Sequence, residues 1–132
     1  MAVEINPDAI KDARENAKLN NVSNISFYND DAGHFMMALA KERHKIDAVI
    51  MDPARAGADK AFLSSLVNLS PKKIVYVSCN PETLARDLLY LCKAGYKVKK
   101  IQPVDMFPHT DNCETIALLE KSVGRLSDRY SL

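Results

Sequence analysis

Residues 74–88, IVYVSCNPETLARDL, pass without a spacer from an apolar segment into a helical one. Ile74, Val75, Tyr76 and Val77 are β-branched or aromatic and form a short continuous run, the pattern of a buried strand. Asn80 is a good N-cap, Pro81 a good first helical residue, and Glu82 suits the positive end of a helix dipole. Leu84, Leu88 and Leu91 recur on one helical face, and Gly95 follows the helix end. Cys79 occupies the joint. A strand leading directly into a helix belongs to a βαβ unit, and its joint lies beyond the strand's carboxyl end, where open α/β sheets bind ligands.

The same alternation continues to either side. AVEI reads as a strand, followed by the helix NPDAIKDARENAKLNN with Ile10, Ala13 and Ala17 at helical spacing. ISFYN is a second strand, and AGHFMMALAKERH a helix with Phe35 and Leu39 on one face. IDAVIMD has the near-continuous apolar character of a buried parallel strand, and DKAFLSSLVNLS forms a helix through Phe62, Leu66 and Leu69. YKVKKIQPVDMF and TIALLEK close the chain as an antiparallel pair around the polar loop PHTDNCE, and the tail SVGRLSDRYSL has no period. The expected fold class is therefore α/β: a mostly parallel sheet, helices on both faces and an antiparallel C-terminal strand pair. Residues 1–121 make up the domain and 122–132 the tail.

A chain of 132 residues, 47% hydrophobic and 27% charged, has the core of one domain. Its net charge of +1 gives no global basic signature, so any nucleic-acid contact must rest on a local patch. The three cysteines, Cys79, Cys92 and Cys113, cannot all pair with one another and show no CxxC spacing. No metal site, signal peptide or membrane span is expected, and a reducing cytoplasm is the expected home. Cys92, among leucines on its helix, is expected in the core. The chain opens already inside an apolar strand, as a piece cut from a longer protein would.

Acidic and polar groups gather at the strand ends. Glu4 ends the first strand, where a carboxylate can accept two hydrogen bonds from a ribose diol or simply face water. Asp30 and Asp31 follow ISFYN; Asp31 can cap the next helix or accept from an adenine amino group. Asp52 leaves a buried strand before Pro53, with Arg55 in the small-residue loop that follows, either as an ordinary turn or as part of a site. A thiol at a helix N-terminus is biased toward the nucleophilic thiolate, although an inert buried cysteine is the alternative for Cys79. His109, Asp111 and Glu114 come just before the last strand, where Glu114 could serve as a general base or lie solvated. The four glycines form no GxGxxG-like group.

DPARAG, IVYVSCNPETLARDL and DMFPHTDNCET, in that order, resemble the S-adenosylmethionine-dependent RNA uracil-5-methyltransferases, which make 5-methyluridine in bacterial rRNA and tRNA. The segment VEINPDAI…NAKLNN is similar to the cofactor-binding segment of that family, and the likeness spans essentially residues 2–121. The resemblance implies a Rossmann-like methyltransferase fold with S-adenosyl-L-methionine as cofactor and a uridine of 23S rRNA or tRNA as substrate. It makes Cys79 the nucleophile and Glu114 the base. Glu4 would be the ribose ligand, Asp31 a contact near adenine, and Asp52 a contact near the cofactor's reacting end. Arg55, Asn80 and His109 would lie on the substrate side. Many members have a histidine two residues before the base, where this chain has Asn112, so catalytic help from that position is not carried over.

The implied chemistry needs these residue types. Carbon 5 of uracil becomes reactive when a thiolate adds to carbon 6; a carboxylate must later remove the carbon-5 proton so that the thiolate can leave. The target base must be out of its stack. The resemblance also implies that the first strand and its Gly-rich loop lie upstream of residue 1. That strand would sit between AVEI and IDAVIMD, so its loss leaves two rows of backbone groups unpartnered. Direct pairing, homodimerisation through the sheet edges or disorder near the N-terminus would answer this, and the piece alone is expected to be inactive. An RNA cytosine-5-methyltransferase and a non-catalytic assembly or RNA-contact module are the rival readings.

Overall fold

The structure, a computed structural model, describes residues 1–110 and 112–122. Asp111 and residues 123–132 of the expected tail lie outside the described residues. The chain divides into two compact units. One comprises Met1–His44 and Asp59–Asn68, the other Lys45–Ala58 and the residues from Leu69 on.

In the first unit, β1 (Ala2–Glu4) pairs in parallel with β2 (Phe27–Asn29), Glu4 opposite Asn29. The Asn29 amide donates to the carbonyls of Glu4 and Ile5 and so ties the two strand ends together. Helix α1 (Pro7–Leu19) starts at Asn6, whose side chain accepts from the Asp8 N–H, and it buries Ile10. Helix α2 (Ala32–Lys41) is capped by Asp31 and buries Met36 and Leu39, while the half-buried Phe35 ring lies 4.7 Å from that of Tyr28. Helix α3 (Lys60–Leu69) buries Leu63, Leu66 and Leu69 and is opened by the Asp59 carboxylate, which accepts from the Phe62 N–H at 2.7 Å.

The second unit is a four-stranded sheet in the order β3-β4-β6-β5: β3 (Ala48–Met51), β4 (Lys73–Ser78), β5 (Tyr96–Val104) and β6 (Glu114–Lys121). β3 and β4 are parallel, and β6 is antiparallel to both β4 and β5. Helix α4 (Pro81–Lys93) links β4 to β5 and buries Leu84, Leu88 and Leu91 as its spacing predicts. Each such leucine contributes roughly 1.5–3 kcal/mol of apolar burial. Gly95 follows with φ +97°, a left-handed helix stop that glycine adopts without strain.

Three expectations need revision. Among the described residues the strands form two sheets, β1 pairing with β2 and β3 with β4, so of the three alternatives direct pairing of AVEI with IDAVIMD is the one set aside. β3 is consequently an edge strand; of its residues only Met51 is buried, and Ile50 is 76% exposed. Cys92 is exposed, because one residue beyond Leu91 is about 100° round the helix and leaves the apolar stripe. Asp87, which falls inside that stripe, is buried in its place.

Candidate active site

Strand alternation sorts the second unit's side chains. On β4, Ile74, Tyr76 and Ser78 are buried; on β6 their cross-strand partners Leu119, Ala117 and Thr115 are buried too. The alternate residues Val75 and Val77, with Leu118 and Ile116 opposite, belong to the other, more open face. Cys79 is one residue beyond β4 and Glu114 one residue before Thr115. The paired register ends at Ser78 opposite Thr115, so Cys79 and Glu114 are the residues that flank this last cross-strand pair on their two strands. Both are partly exposed. Strand direction adds the rest: β3 and β4 are parallel and β6 is antiparallel, so Asp52, Cys79, Glu114 and the loop after β5 that carries His109 all lie at one end of this sheet.

The bend at Cys79 is fixed by its neighbours. The Ser78 hydroxyl donates to the Asn80 carbonyl at 2.9 Å and accepts from the Asn80 N–H at 3.1 Å. The Asn80 side chain accepts from the Glu82 N–H at 3.0 Å, capping α4, and its amide donates to the carbonyl of Arg55 at 3.2 Å. The Thr83 hydroxyl reaches the same carbonyl at 3.2 Å. Arg55 itself lies in a turn closed by the Gly57 N–H on the Ala54 carbonyl, and its side chain and that of Asp52 are exposed.

Beneath that turn is a buried group that sequence reasoning missed. Asp87, 1% exposed, accepts from the Ala58 N–H at 2.8 Å, the Tyr76 hydroxyl at 2.6 Å and the Arg86 Nε at 2.8 Å. Burial first, and then the bond to Asp87, push the Tyr76 phenol well above its ordinary range, so it stays a proton donor. An acid inside an otherwise leucine-lined helical stripe was the available signal.

The loop after β5 contains Phe107–Thr110, closed by the Thr110 N–H on the Phe107 carbonyl. Pro108 and His109 take the two central positions, and His109 has φ +67°. A positive φ at the second central position defines a turn that ordinarily takes glycine or asparagine. The exposed histidine is held there at a local cost. Asp111 lies outside the described residues. Asn112 donates its N–H to the Thr110 hydroxyl, and the Cys113 sulfur sits 3.3 Å from the Glu114 carbonyl.

In the first unit Glu4 and Asp31 lie at the carboxyl ends of the paired parallel strands β1 and β2, both exposed. Asp31 performs the capping task weighed from sequence; Glu4, weighed there as facing water, is exposed and also makes a local bond. One Glu4 oxygen accepts from the Asn6 N–H at 2.8 Å, and one Asp31 oxygen accepts from the His34 N–H at 2.9 Å. The second oxygen of each carboxylate remains to accept from elsewhere. Asp30 is engaged by the Asp31 N–H and the His34 ring.

Residues 1–122 match the model of a family described as tRNA (uracil-5-)-methyltransferase. The chain is 47% identical over 119 residues to an uncharacterized RNA methyltransferase of Bacillus cereus, covering 90% of this chain and 26% of that protein. It is 48% identical over 119 residues to another from Caldanaerobacter subterraneus, with the same coverage of 90% and 26%. Among solved structures it is similar to Pyrococcus abyssi tRNA (uracil-54, C5)-methyltransferase in complex with S-adenosyl-L-homocysteine. The TM-score is 0.72 and the identity 38%, with 89% of this chain and 27% of that one covered. A precorrin-6y C5,15-methyltransferase of Geobacter metallireducens, 18% identical at TM-score 0.68 over 92% of this chain and 66% of that one, shares the fold. The chain thus spans about a quarter of the length of the curated relatives it matches. Among the described residues no helix is long and apolar enough to cross a membrane.

Proposed function

The chain belongs to the tRNA (uracil-5-)-methyltransferase family, and from that premise we propose that it carries the thiol and the base of an enzyme methylating carbon 5 of a uridine in tRNA or rRNA. One observation supports the reading: Cys79 and Glu114, both partly exposed, are the residues next to the last β4–β6 pair, Ser78 opposite Thr115, at the carboxyl end of β4. A planar base presented at that end would meet a sulfur nucleophile and a separate carboxylate.

Cys79 adds through sulfur to carbon 6 of the uracil, and the ring's electron density moves to carbon 5. Once carbon 5 is substituted, Glu114 takes the proton from it; the electrons of the broken C–H bond re-form the ring double bond as the C6–S bond breaks and the thiolate leaves. S-adenosyl-L-methionine, when bound, supplies an electrophilic methyl group. The donor set fits it: Glu4 and Asp31 are acceptor-only groups at adjacent parallel strand ends, each with an oxygen free of its capping bond. Glu4 would take the ribose hydroxyls, Asp31 the adenine amino group, and Asp52 the reacting end. Arg55 and His109 face the RNA, with Asn80 acting through the Arg55 carbonyl that it holds. A glycine-type turn occupied by histidine supports a role for the His109 side chain. Among the described residues β1 and β3 each pair with a strand on one side, and a second copy of this chain would pair along the other side; the chain by itself is inactive in this reading.

The test uses the full-length protein with S-adenosyl-L-methionine and tRNA or 23S rRNA transcripts containing 5-fluorouridine. Fluorine replaces the proton that Glu114 would remove, so the adduct cannot resolve. A covalent RNA–protein species mapped to Cys79 is expected. An intact protein that methylates the unfluorinated transcripts yet forms no adduct at Cys79 would overturn the reading.

A further inference from the structure

The carboxylate of Asp87 is nearly sealed from solvent at 1% exposure, yet it lies on a helix face otherwise lined by leucines. Its surroundings offer donors only: the Ala58 N–H and Tyr76 hydroxyl on one oxygen, the Arg86 Nε on the other. A group that must accept from all of these and donate to none has to be a carboxylate, because an asparagine would turn an N–H toward at least one donor. Arg86, next along the helix, donates to the carbonyls of Ala56 and Ala58 at 2.9 and 3.2 Å. Between them sits Gly57 at φ +78°, where an added Cβ would lie 2.6 Å from both the Arg86 guanidinium and the Asp87 carboxylate. One turn earlier, Asn80 and Thr83 hold the Arg55 carbonyl. Asn80, Thr83, Arg86 and Asp87 thus grip the segment 55–58 along its length, and Asn80, the N-cap of the same helix, directly follows Cys79.

We propose that Asp87 is a positioning residue for the reaction, fixing the segment that carries Arg55 against the helix that begins beside Cys79. Its work is done through other groups: through Ala58 and Arg86 on the loop, and through Tyr76 on β4. This inference rests on the Cys79 reading above, because it is the Cys79 step that the clamp serves. Loss of the clamp leaves the thiol in place but lets Arg55 drift, and a displacement of about 1 Å in a group that orients a substrate can cost on the order of 10²-fold in rate.

The experiment measures adduct formation at saturating 5-fluorouridine transcript in the full-length protein, comparing wild type with Asp87→Asn, Gly57→Ala and Tyr76→Phe. Each variant is assayed well below its own melting midpoint, so that lost stability is separated from lost positioning. Asp87→Asn and Gly57→Ala are expected to slow adduct formation by at least about tenfold while the apparent RNA dissociation constant changes by less than about twofold. Tyr76→Phe removes one donor and leaves the Ala58 and Arg86 bonds; it is expected to slow the step by roughly threefold, and it decides the matter if the other two do not fold. Lowered melting midpoints with adduct rates within about 1.5-fold of wild type in every folded variant would overturn the proposal, leaving the network a purely structural one. Absence of any adduct in the wild type would instead remove the Cys79 reading, and this inference with it.

Discussion

The chain starts a helix twice with the same device, Asn6-Pro7-Asp8 after β1 and Asn80-Pro81-Glu82 after β4, and the two outcomes differ. Both asparagines cap: Asn6 accepts from the Asp8 N–H at 2.9 Å and Asn80 from the Glu82 N–H at 3.0 Å. Around Asn6 the ties run to the adjoining strand ends: Glu4 reaches back to the Asn6 N–H, the Asn29 amide holds the Glu4 and Ile5 carbonyls, and Ile5 itself is 67% exposed. Around Asn80 the same cap is tied through its amide to Arg55, through Ser78 to the bend at Cys79, and through Thr83 and Asp87 to a loop about thirty residues away in sequence. Punctuation by short sequence decides where a helix begins. Whether the joint becomes a reactive site depends on what the rest of the fold attaches to it.

The largest expected consequence of that difference is chemical. Cys79→Ala in the full-length protein should lower methylation by at least about 10³-fold with little change in melting temperature, since the side chain is only partly buried. Product formation on uridine-containing transcripts measures it, and retained activity would make the β4 joint no more special than the β1 joint. Glu114→Gln should reduce turnover by about 10²–10⁴-fold while still allowing addition of Cys79, so that a covalent species accumulates even on ordinary uridine transcripts. A denaturing gel reads this directly; lost activity without accumulation would place Glu114 before the covalent step.

Smaller effects separate the two caps themselves. Asn6→Ala and Asn80→Ala should each cost about 1 kcal/mol of stability as lost N-caps, and Asn80→Ala about 1 kcal/mol more for the Arg55 bond. Equal losses in chemical denaturation would mean that the Arg55 contact contributes nothing. His109→Gly should raise stability by up to about 1 kcal/mol by relieving a left-handed non-glycine residue, while weakening RNA binding. The least effect belongs to the Tyr76 phenol. Its raised proton affinity favours the folded state fully below the unfolded tyrosine range near about pH 10, and that contribution is lost as pH climbs from there toward the higher folded value. Wild type should therefore lose stability more steeply than Tyr76→Phe only above about pH 10, as alkaline melting curves would show.

The order of strands and helices is legible in the sequence because each apolar run has a strand or helix period and each boundary carries its own cap or stop. Leu84, Leu88, Leu91 and Gly95 behave as their spacing requires. The site residues divide differently. That Cys79 lies past the end of β4 follows from local pattern, but that Glu114 comes to the same end of the sheet depends on how β6 aligns with β4, and no short-range feature states a register. β3 misled because an apolar run looks the same at an edge as in the middle of a sheet; among the described residues it has one strand neighbour, and Ile50 is 76% exposed. The role of Asp87 is not legible in the sequence because its three donors come from positions 58, 76 and 86, a set that only the folded chain assembles.

The most direct test of the central geometry asks whether positions 79 and 114 are neighbours across the β4–β6 ladder. In a full-length protein carrying Glu114→Cys with Cys92→Ser and Cys113→Ser, mild oxidation should join positions 79 and 114. Directly opposed residues of an antiparallel pair have Cα atoms about 4.5–5.5 Å apart, inside the range a disulfide accepts. Peptide mapping should recover that bond in most of the folded protein. Free thiols at both positions after oxidation, in a protein with wild-type melting behaviour, would contradict the pairing.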